Sequence, residues 1–298
     1  MKLFFKLPKW LQQHLYTDKN FADLTPSELE NLKAKIKKFN SDDPDVSVVI
    51  PAWNEENNIF RAVSSIASNI TNYKVEIIVI NNNSTDGTQK VLDELGIKSF
   101  LQSEQGTPHA RQMGLYKARG KYHLCADSDT FYPPRWIELM IKPMLEKKGV
   151  VGVYGRYCFI PPIENSRFAM VPYEKITGLM IRIRKINREF INVLGFNMGF
   201  ITEVARSTDG FKVTGVRKFD NAAGSDYYIE EAEDGAMALR LKSKGKLYLV
   251  THADARPFTS SRRLVAEGGL YQSFWNRFKL NLSRMTEFLY AKNKVGND

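Results

Sequence analysis

Asp127 and Asp129 stand one residue apart in residues 121–131, KYHLCADSDTF, at the end of a mostly apolar run from Tyr122 to Ala126. That run has the length and β-favouring composition of a buried strand. Pro133 and Pro134 follow closely, and neither a strand nor a helix continues through them. Two carboxylates at a strand exit suit a hard divalent cation, Mg²⁺ or Mn²⁺, which takes oxygen ligands from the protein and from substrate phosphates. The same spacing also suits a solvated acidic turn in which an aspartate caps the next helix. A second acidic group, Glu230-Glu231-Ala232-Glu233-Asp234-Gly235, opens a helical stretch that Gly245 ends. Carboxylates there either take a proton or complement the helix dipole.

The elements that must carry these groups alternate. Val46 to Ile50 (VSVVI) reads by composition as a fully buried strand that Pro51 is expected to stop, and Asn54-Glu55-Glu56 leads into an amphipathic helix with Ile59, Val63, Ile66 and Ala67 on one face. A strand at 74–80 runs into the polar turn NNNSTDGT and a helix at 88–95; a short strand at 99–102 and a helix at 110–118 lead to the Tyr122 strand. Alternating β and α segments give right-handed crossovers and a mainly parallel sheet. Ligands of such sheets bind beyond the carboxyl ends of the strands, so the polar groups at 54–56, 81–83 and 127–129 converge on one edge.

Upstream, residues 1–16 form a basic, apolar helical stripe interrupted by Pro8, and Thr25-Pro26-Ser27-Glu28 reads as a capping box before Leu29, Leu32, Ile36 and Phe39. Downstream come a strand at 150–159, a helix at 171–190, a glycine-bounded loop or short strand at 195–200, a strand at 247–251 and a helical tail from Leu264. The expected division is an N-terminal helical extension, 1–44, a main domain, 45–255, with halves meeting at 145/146, and a C-terminal helical tail, 256–298.

The 298 residues are 43% hydrophobic and 26% charged, an ordinary globular composition. Cys125 and Cys158 make no disulfide framework, which points to a reducing cytosol. The N-terminus lacks a signal-peptide pattern and no apolar run is long enough to span a membrane. The net charge of +10 favours anionic partners; no nucleic-acid recognition motif accompanies it, so nucleic acid is not expected. The basic, aromatic helices at 1–16, 171–190 and 264–292 suit either an anionic membrane surface, on the inner face, or packing on the domain itself or on a second copy in a homodimer.

Five motifs in order, VSVVIPAWNEE, NNNSTDGT, ARQMGLYKARGKYHLCADSD, GFNMGF and EDGAMALRLKSKGK, cover about Val46 to about Thr251. On these the chain resembles an inverting GT-A glycosyltransferase of family 2. The resemblance implies an α/β fold, a Rossmann-like, mainly parallel central sheet flanked by helices. It implies a nucleotide-diphosphate sugar donor (a UDP-sugar is favoured), a saccharide or lipid-linked acceptor and a divalent cation, Mn²⁺ or Mg²⁺. Pro51, Ala52, Asn54 and Glu55 correspond to the first nucleotide-contacting loop. Asn82, followed by Asn83, takes the place of the acid that meets the nucleobase, while Asp86 caps the next helix. Arg111 corresponds to an arginine near the diphosphate, with Gln112 replacing the family's asparagine. Asp127, Ser128 and Asp129 correspond to the DxD motif, with Asp129 the direct metal ligand and Asp127 nearer the ribose or a metal-bound water. Glu233 and Asp234 correspond to the family's ED pair, with Asp234 the base and Glu233 positioning it or the acceptor.

Asn197, Met198 and Gly199 correspond to the floor of the sugar and acceptor site. His252 is a candidate third metal ligand, and residues 259–263, TSSRR, a candidate diphosphate-holding lid; Glu230 and Glu231 are read as solvated. No QxxRW-type motif is present, which argues against a processive polysaccharide synthase. Two other readings are a metal-dependent nucleotidyltransferase, which usually opens on a glycine-rich loop absent here, and a non-catalytic nucleotide-sugar-binding protein, against which both acidic pairs argue.

Overall fold

Strands β1 (Val46–Ala52) and β2 (Val75–Asn81) are buried along nearly their whole length, as their mostly apolar composition, broken by Ser47 and Glu76, requires of strands covered on both faces. The computed structural model describes residues 7–17, 19–161, 170–213, 233–261 and 269–290. In chain order the helices are α1 (Lys9–Gln12), α2 (Pro26–Lys37), α3 (Ile59–Ile66), α4 (Thr88–Glu94), α5 (Thr107–Lys117), α6 (Trp136–Glu146), α7 (Met170–Asn187), α8 (Thr202–Arg206), α9 (Glu233–Lys244), α10 (Leu270–Ser283) and α11 (Met285–Tyr290). The remaining strands are β3 (Lys98–Leu101), β4 (Tyr122–Cys125), β5 (Thr130–Phe131), β6 (Val150–Gly155), β7 (Cys158–Ile160), β8 (Met198–Ile201), β9 (Lys246–Val250) and β10 (Phe258–Ser260).

Seven strands form the main sheet in the order β3-β2-β1-β4-β8-β6-β9. All its neighbours pair in parallel except β8, which runs antiparallel between β4 and β6. Helices cover both faces: Ile59, Phe60 and Val63 of α3 and Trp136, Ile137 and Met140 of α6 pack in one core with alternate residues of β1 and β2, while Met237, Ala238 and Leu241 of α9 pack with Met198 and Phe200 of β8 on the other face. Helix α2 joins the first core through Leu32 and Ile36, and both bonds of its capping box, Thr25 with Glu28, are formed.

Three local expectations are corrected. β1 does not stop at Pro51 but runs through it to Ala52. Its pairing with β4 ends at Val49↔Cys125, so the N–H that proline lacks costs no ladder bond. The single strand expected at 150–159 is two: β6 lies in the main sheet, while β7 joins β10 and β5 in a second, three-stranded sheet. Thr259 and Ser260, expected in a lid, lie in that sheet's middle strand, where the Thr130 hydroxyl donates to Thr259 Oγ1 at 2.9 Å. Arg262 and Arg263, like Glu230 and Glu231, lie outside the described residues. Leu7, Trp10, Leu11 and Leu15 pack on Phe131, Cys158 and Phe258 of this small sheet, so the protein's own fold covers the apolar side of that segment.

Candidate active site

Asp127 lies two residues past the end of β4, and Glu233 and Asp234 open α9; Arg111, in the second turn of α5, joins the two. The guanidinium is buried. Its Nη2 donates to Asp127 Oδ1 at 2.9 Å, its Nη1 donates to the Gly195 carbonyl at 3.0 Å, and its Nε lies 3.6 Å from Asp234 Oδ1 and 3.9 Å from Glu233 Oε1. Burial alone would pull the Arg111 pKa down, but the charges of Asp234 and Asp127 outweigh it and raise it above an already high value. The arginine is therefore a permanent cation.

Gly195 completes the arrangement. Its N–H donates to Asp234 Oδ2 at 2.6 Å while its carbonyl accepts from Arg111. A Cβ at that position would run into both the Arg111 guanidinium and the Asp234 carboxylate. On the other side, the Asp127 N–H donates to the Tyr132 hydroxyl at 2.9 Å, and that hydroxyl donates to the Phe196 carbonyl at 3.0 Å. Gly195 and Tyr132 were not anticipated. The glycine that opens GFNMGF was the one available signal.

The loops after β1 and β2 are knitted together. Asn54, at φ +54°, accepts the Thr85 N–H at 2.8 Å and its own N–H donates to Ser84 Oγ at 3.0 Å. The Glu55 N–H donates to Thr88 Oγ1 at 2.8 Å, and the Glu55 carboxylate accepts from Asn58 Nδ2 at 2.6 Å. The N-cap of α4 is Gly87, not Asp86, but Asp86 just before it accepts the Thr88 N–H at 3.0 Å. Asn82 is buried and engaged: its Nδ2 donates to the carbonyls of Gln102 and Glu104, and its Oδ1 accepts from the Gly106 N–H. The amide expected to face a nucleobase thus closes the β3–α5 loop. Asn83, exposed at φ +61°, follows it in the left-handed region that asparagine tolerates.

Asn197, Met198 and Gly199 are buried beneath the site. Asn197 Oδ1 accepts from Trp136 Nε1 at 2.8 Å and its Nδ2 donates to the Arg156 carbonyl, so the amide braces the loop. Met198 pairs with Cys125 across β8 and β4. His123 and Cys125 on β4 are chemically silent: burial, aided by Arg111 and Arg206, pushes His123 down to about 3, and burial pushes the Cys125 thiol up to about 12. The neutral His123 ring stacks on Phe200 at 4.6 Å.

Among the described residues one buried cation, Arg111, faces Asp127, Glu233 and Asp234, and Ser128 and Asp129 follow Asp127 directly in the chain. The surplus of negative charge and the hard oxygen donors fit a divalent cation that keeps part of its shell for phosphate and water. Among the described residues no three His, Cys, Asp or Glu side chains gather as a metal group. His252 accepts the Asp254 N–H at 3.2 Å, capping the turn Ala253–Ala255 with its ring half exposed.

The family model described as Glycosyl transferase family 2 matches residues 47–207. The chain is 33% identical over 132 residues to an uncharacterized glycosyltransferase of Rickettsia bellii, covering 43% of this chain and 19% of that protein. It is 30% identical over 202 residues to the chondroitin synthase of Pasteurella multocida, covering 64% of this chain and 19% of that protein. The match thus spans about a fifth of the length of either relative. Among solved structures the fold is similar to that of a mannosyltransferase from Pyrobaculum calidifontis in complex with GDP-Man and Mn²⁺, at a TM-score of 0.54 and 17% identity, over 88% of this chain and 75% of that one.

Proposed function

The chain belongs to glycosyl transferase family 2 and has the GT-A fold, and on that premise we propose that it moves a sugar from a nucleoside-diphosphate sugar to an acceptor hydroxyl by one metal-dependent displacement with inversion. The observation that carries this is the Arg111 hub, which fixes Asp127 at the donor end and Asp234 at the acceptor end of a single buried cluster. Asp234 takes the acceptor proton while the acceptor oxygen bonds to the anomeric carbon and the bond from that carbon to the diphosphate breaks. The nucleoside diphosphate leaves from the opposite face, so the configuration inverts. Glu233 and the Gly195 N–H orient Asp234. Asn54, Glu55, Asn83, Pro51 and Ala52 form the nucleotide-facing edge, with Asn82 holding the neighbouring loop in place.

A divalent cation, when bound, neutralises charge on the departing diphosphate, and Asp129 and Asp127 are the residues that would hold it. The Pyrobaculum neighbour, solved with GDP-Man and Mn²⁺, supports a nucleotide-sugar donor and a divalent cation as a class; a UDP-sugar is the favoured donor here. The acceptor is a saccharide or a lipid-linked molecule. No helix among the described residues is long and apolar enough to cross a membrane. Ile176, Leu179 and Ile186 of α7 and Trp275 and Leu282 of α10 are exposed, with lysines and arginines between them. That composition supports peripheral attachment to an anionic membrane face.

A thermal-shift panel of UDP, GDP, CDP and dTDP and their sugars, each with Mn²⁺, Mg²⁺ or EDTA, tests the reading. One base should raise the melting temperature in a metal-dependent way, and Asp129→Ala should lose that shift. No shift with any nucleotide in either metal would sink it.

A further inference from the structure

Tyr132 is fully buried, yet it is a tyrosine. A phenylalanine would fill the same apolar space, and a hydroxyl taken out of water is costly unless it is bonded. Its two bonds run to two different loops. The hydroxyl accepts the Asp127 N–H at 2.9 Å and donates to the Phe196 carbonyl at 3.0 Å. Burial and the charge of Asp127 push its pKa well above the ordinary value, so the proton that reaches Phe196 stays in place. The residue itself is held from two helices. The Tyr132 N–H donates to Ser65 Oγ of α3 at 3.0 Å, and its aromatic ring packs against Trp136 of α6 at 4.3 Å.

These bonds close a circuit. Arg111 donates to the Asp127 carboxylate and to the Gly195 carbonyl, Phe196 follows Gly195, and Tyr132 leads back from Phe196 to the Asp127 backbone. Asp127 is thus gripped at its carboxylate by one residue and at its N–H by the other. The same two residues grip the carbonyls of Gly195 and Phe196 in turn, and Trp136 Nε1 adds a bond to the next side chain, Asn197 Oδ1, at 2.8 Å. Arg111 is the charged side of the circuit and Tyr132 the neutral side. The N–H of Gly195, a member of the circuit, donates to Asp234 at 2.6 Å. An uncharged hydroxyl therefore bears on where both acids stand, without altering the surplus charge around Arg111.

We propose that Tyr132 is a positioning residue whose hydroxyl sets the span between Asp127 at the donor end and Asp234 at the acceptor end, by tying the loop after β4 to the loop before β8. Its effect on turnover rests on the transferase reading; the link between the two loops does not. In a single displacement the acceptor oxygen, the anomeric carbon and the leaving oxygen must line up, and a misplacement of about 1 Å costs on the order of 10²-fold in rate. A span held on both sides meets that demand. One held by Arg111 alone lets the two loops shift separately.

The test uses the full chain as Tyr132→Phe, which removes one oxygen and keeps the aromatic ring on Trp136. Ile36→Val, a buried change in α2 of similar expected stability cost, is the control. Hydrogen exchange read by mass spectrometry follows the segments 124–131 and 194–198. Relative to β1 and β2, both segments should exchange roughly tenfold faster in Tyr132→Phe, and not in Ile36→Val. With the donor that the thermal-shift panel identifies, kcat of Tyr132→Phe should fall by roughly tenfold or more while KM for the donor stays within about twofold. Unchanged exchange at 194–198 overturns the inference whatever happens at 124–131, because the link is then absent. A kcat loss no larger than that of Ile36→Val overturns the positioning role. A wild-type chain that turns over no nucleotide sugar sinks the transferase reading, and the exchange result then decides the link between the loops by itself.

Discussion

Two buried ion clusters lie at the two ends of α5, and they are built with opposite surplus. Past its C-terminus, Glu76 of β2 is fully buried; Oε1 accepts from the Ser47 hydroxyl and the Arg119 N–H, and Oε2 accepts from Lys98 Nζ and from Arg119 Nε and Nη2. One carboxylate meets two cations, and both of its oxygens are occupied. Nearer the N-terminal end, Arg111 meets three carboxylates, and among the described residues the sum is negative. A cluster with all its acceptor sites filled fixes strand register and has nothing left to offer. A cluster left with surplus charge can take a ligand that carries the balancing charge. The same helix thus anchors the sheet at one end and poises the site at the other.

Breaking the second cluster should cost rate, not fold. Asp234→Asn removes the base but keeps an oxygen for the Gly195 N–H, so turnover should fall by about 10²–10⁴-fold with the melting temperature nearly unchanged. A steady-state assay against the donor that the thermal-shift panel identifies measures it. A loss below tenfold would move the base elsewhere. Breaking the first cluster should do the reverse. Glu76→Gln leaves Lys98 and Arg119 facing a neutral amide and should cost about 3 kcal/mol in urea unfolding, with the rate per folded molecule unchanged. If Glu76→Gln instead abolished activity in a fully folded protein, the division between the two ends of α5 would fail.

The third change tests the surplus itself. Arg111→Gln removes the competing cation from among Asp127, Glu233 and Asp234. Mn²⁺ affinity in the absence of nucleotide should rise by roughly tenfold, while the melting temperature in EDTA drops because the carboxylates lose their partner. Calorimetric titration with Mn²⁺ reads the first, and unchanged affinity would mean that Arg111 does not set the charge of the site.

The elements around Glu76 were largely legible because their signals are local. The apolar runs of β1 and β2, the Thr25 capping box and the Asp127-Ser128-Asp129 strand exit each declare themselves within a few residues. The candidate site was legible only as residue types. Asp127, Asp234 and Arg111 stood out, but that they meet depends on Gly195, which lies 84 residues from Arg111 and 39 from Asp234. Long-range closure of that kind leaves no periodic trace. The second sheet was hidden for a related reason: its strands β5 and β10 are two and three residues long and pair across most of the domain. Asn82 shows the converse: its position suggested a nucleobase contact, and its amide also bonds Gln102, Glu104 and Gly106, a demand made by a loop that the local sequence does not reveal.

The smallest expected effect separates the clusters by pH. Burial pushes the Glu76 pKa up, but hydrogen bonds from Ser47, Arg119 and Lys98 outweigh it, and the net shift is downward. A carboxylate with a lowered folded pKa adds stability at pH values above its unfolded value, and that contribution is lost as pH falls through the folded one. The unfolded value for glutamate is roughly 4.3. The stability gap between the wild type and Glu76→Gln should therefore be flat from neutral pH down to about 5 and narrow below about 4. The narrowing stays smaller than the substitution effect as long as the protonated acid keeps its shape and its bond to Ser47. Taking the difference between the two proteins removes the other carboxylates that titrate in the same range. Arg111 has no such window: its pKa is raised above an already high value, so the stability it adds is present throughout the working range and is lost only as pH rises beyond it. Urea midpoints for both proteins across acid pH give the comparison. A gap that stayed constant into acid would show that Glu76 holds its proton differently from the way its five donors require.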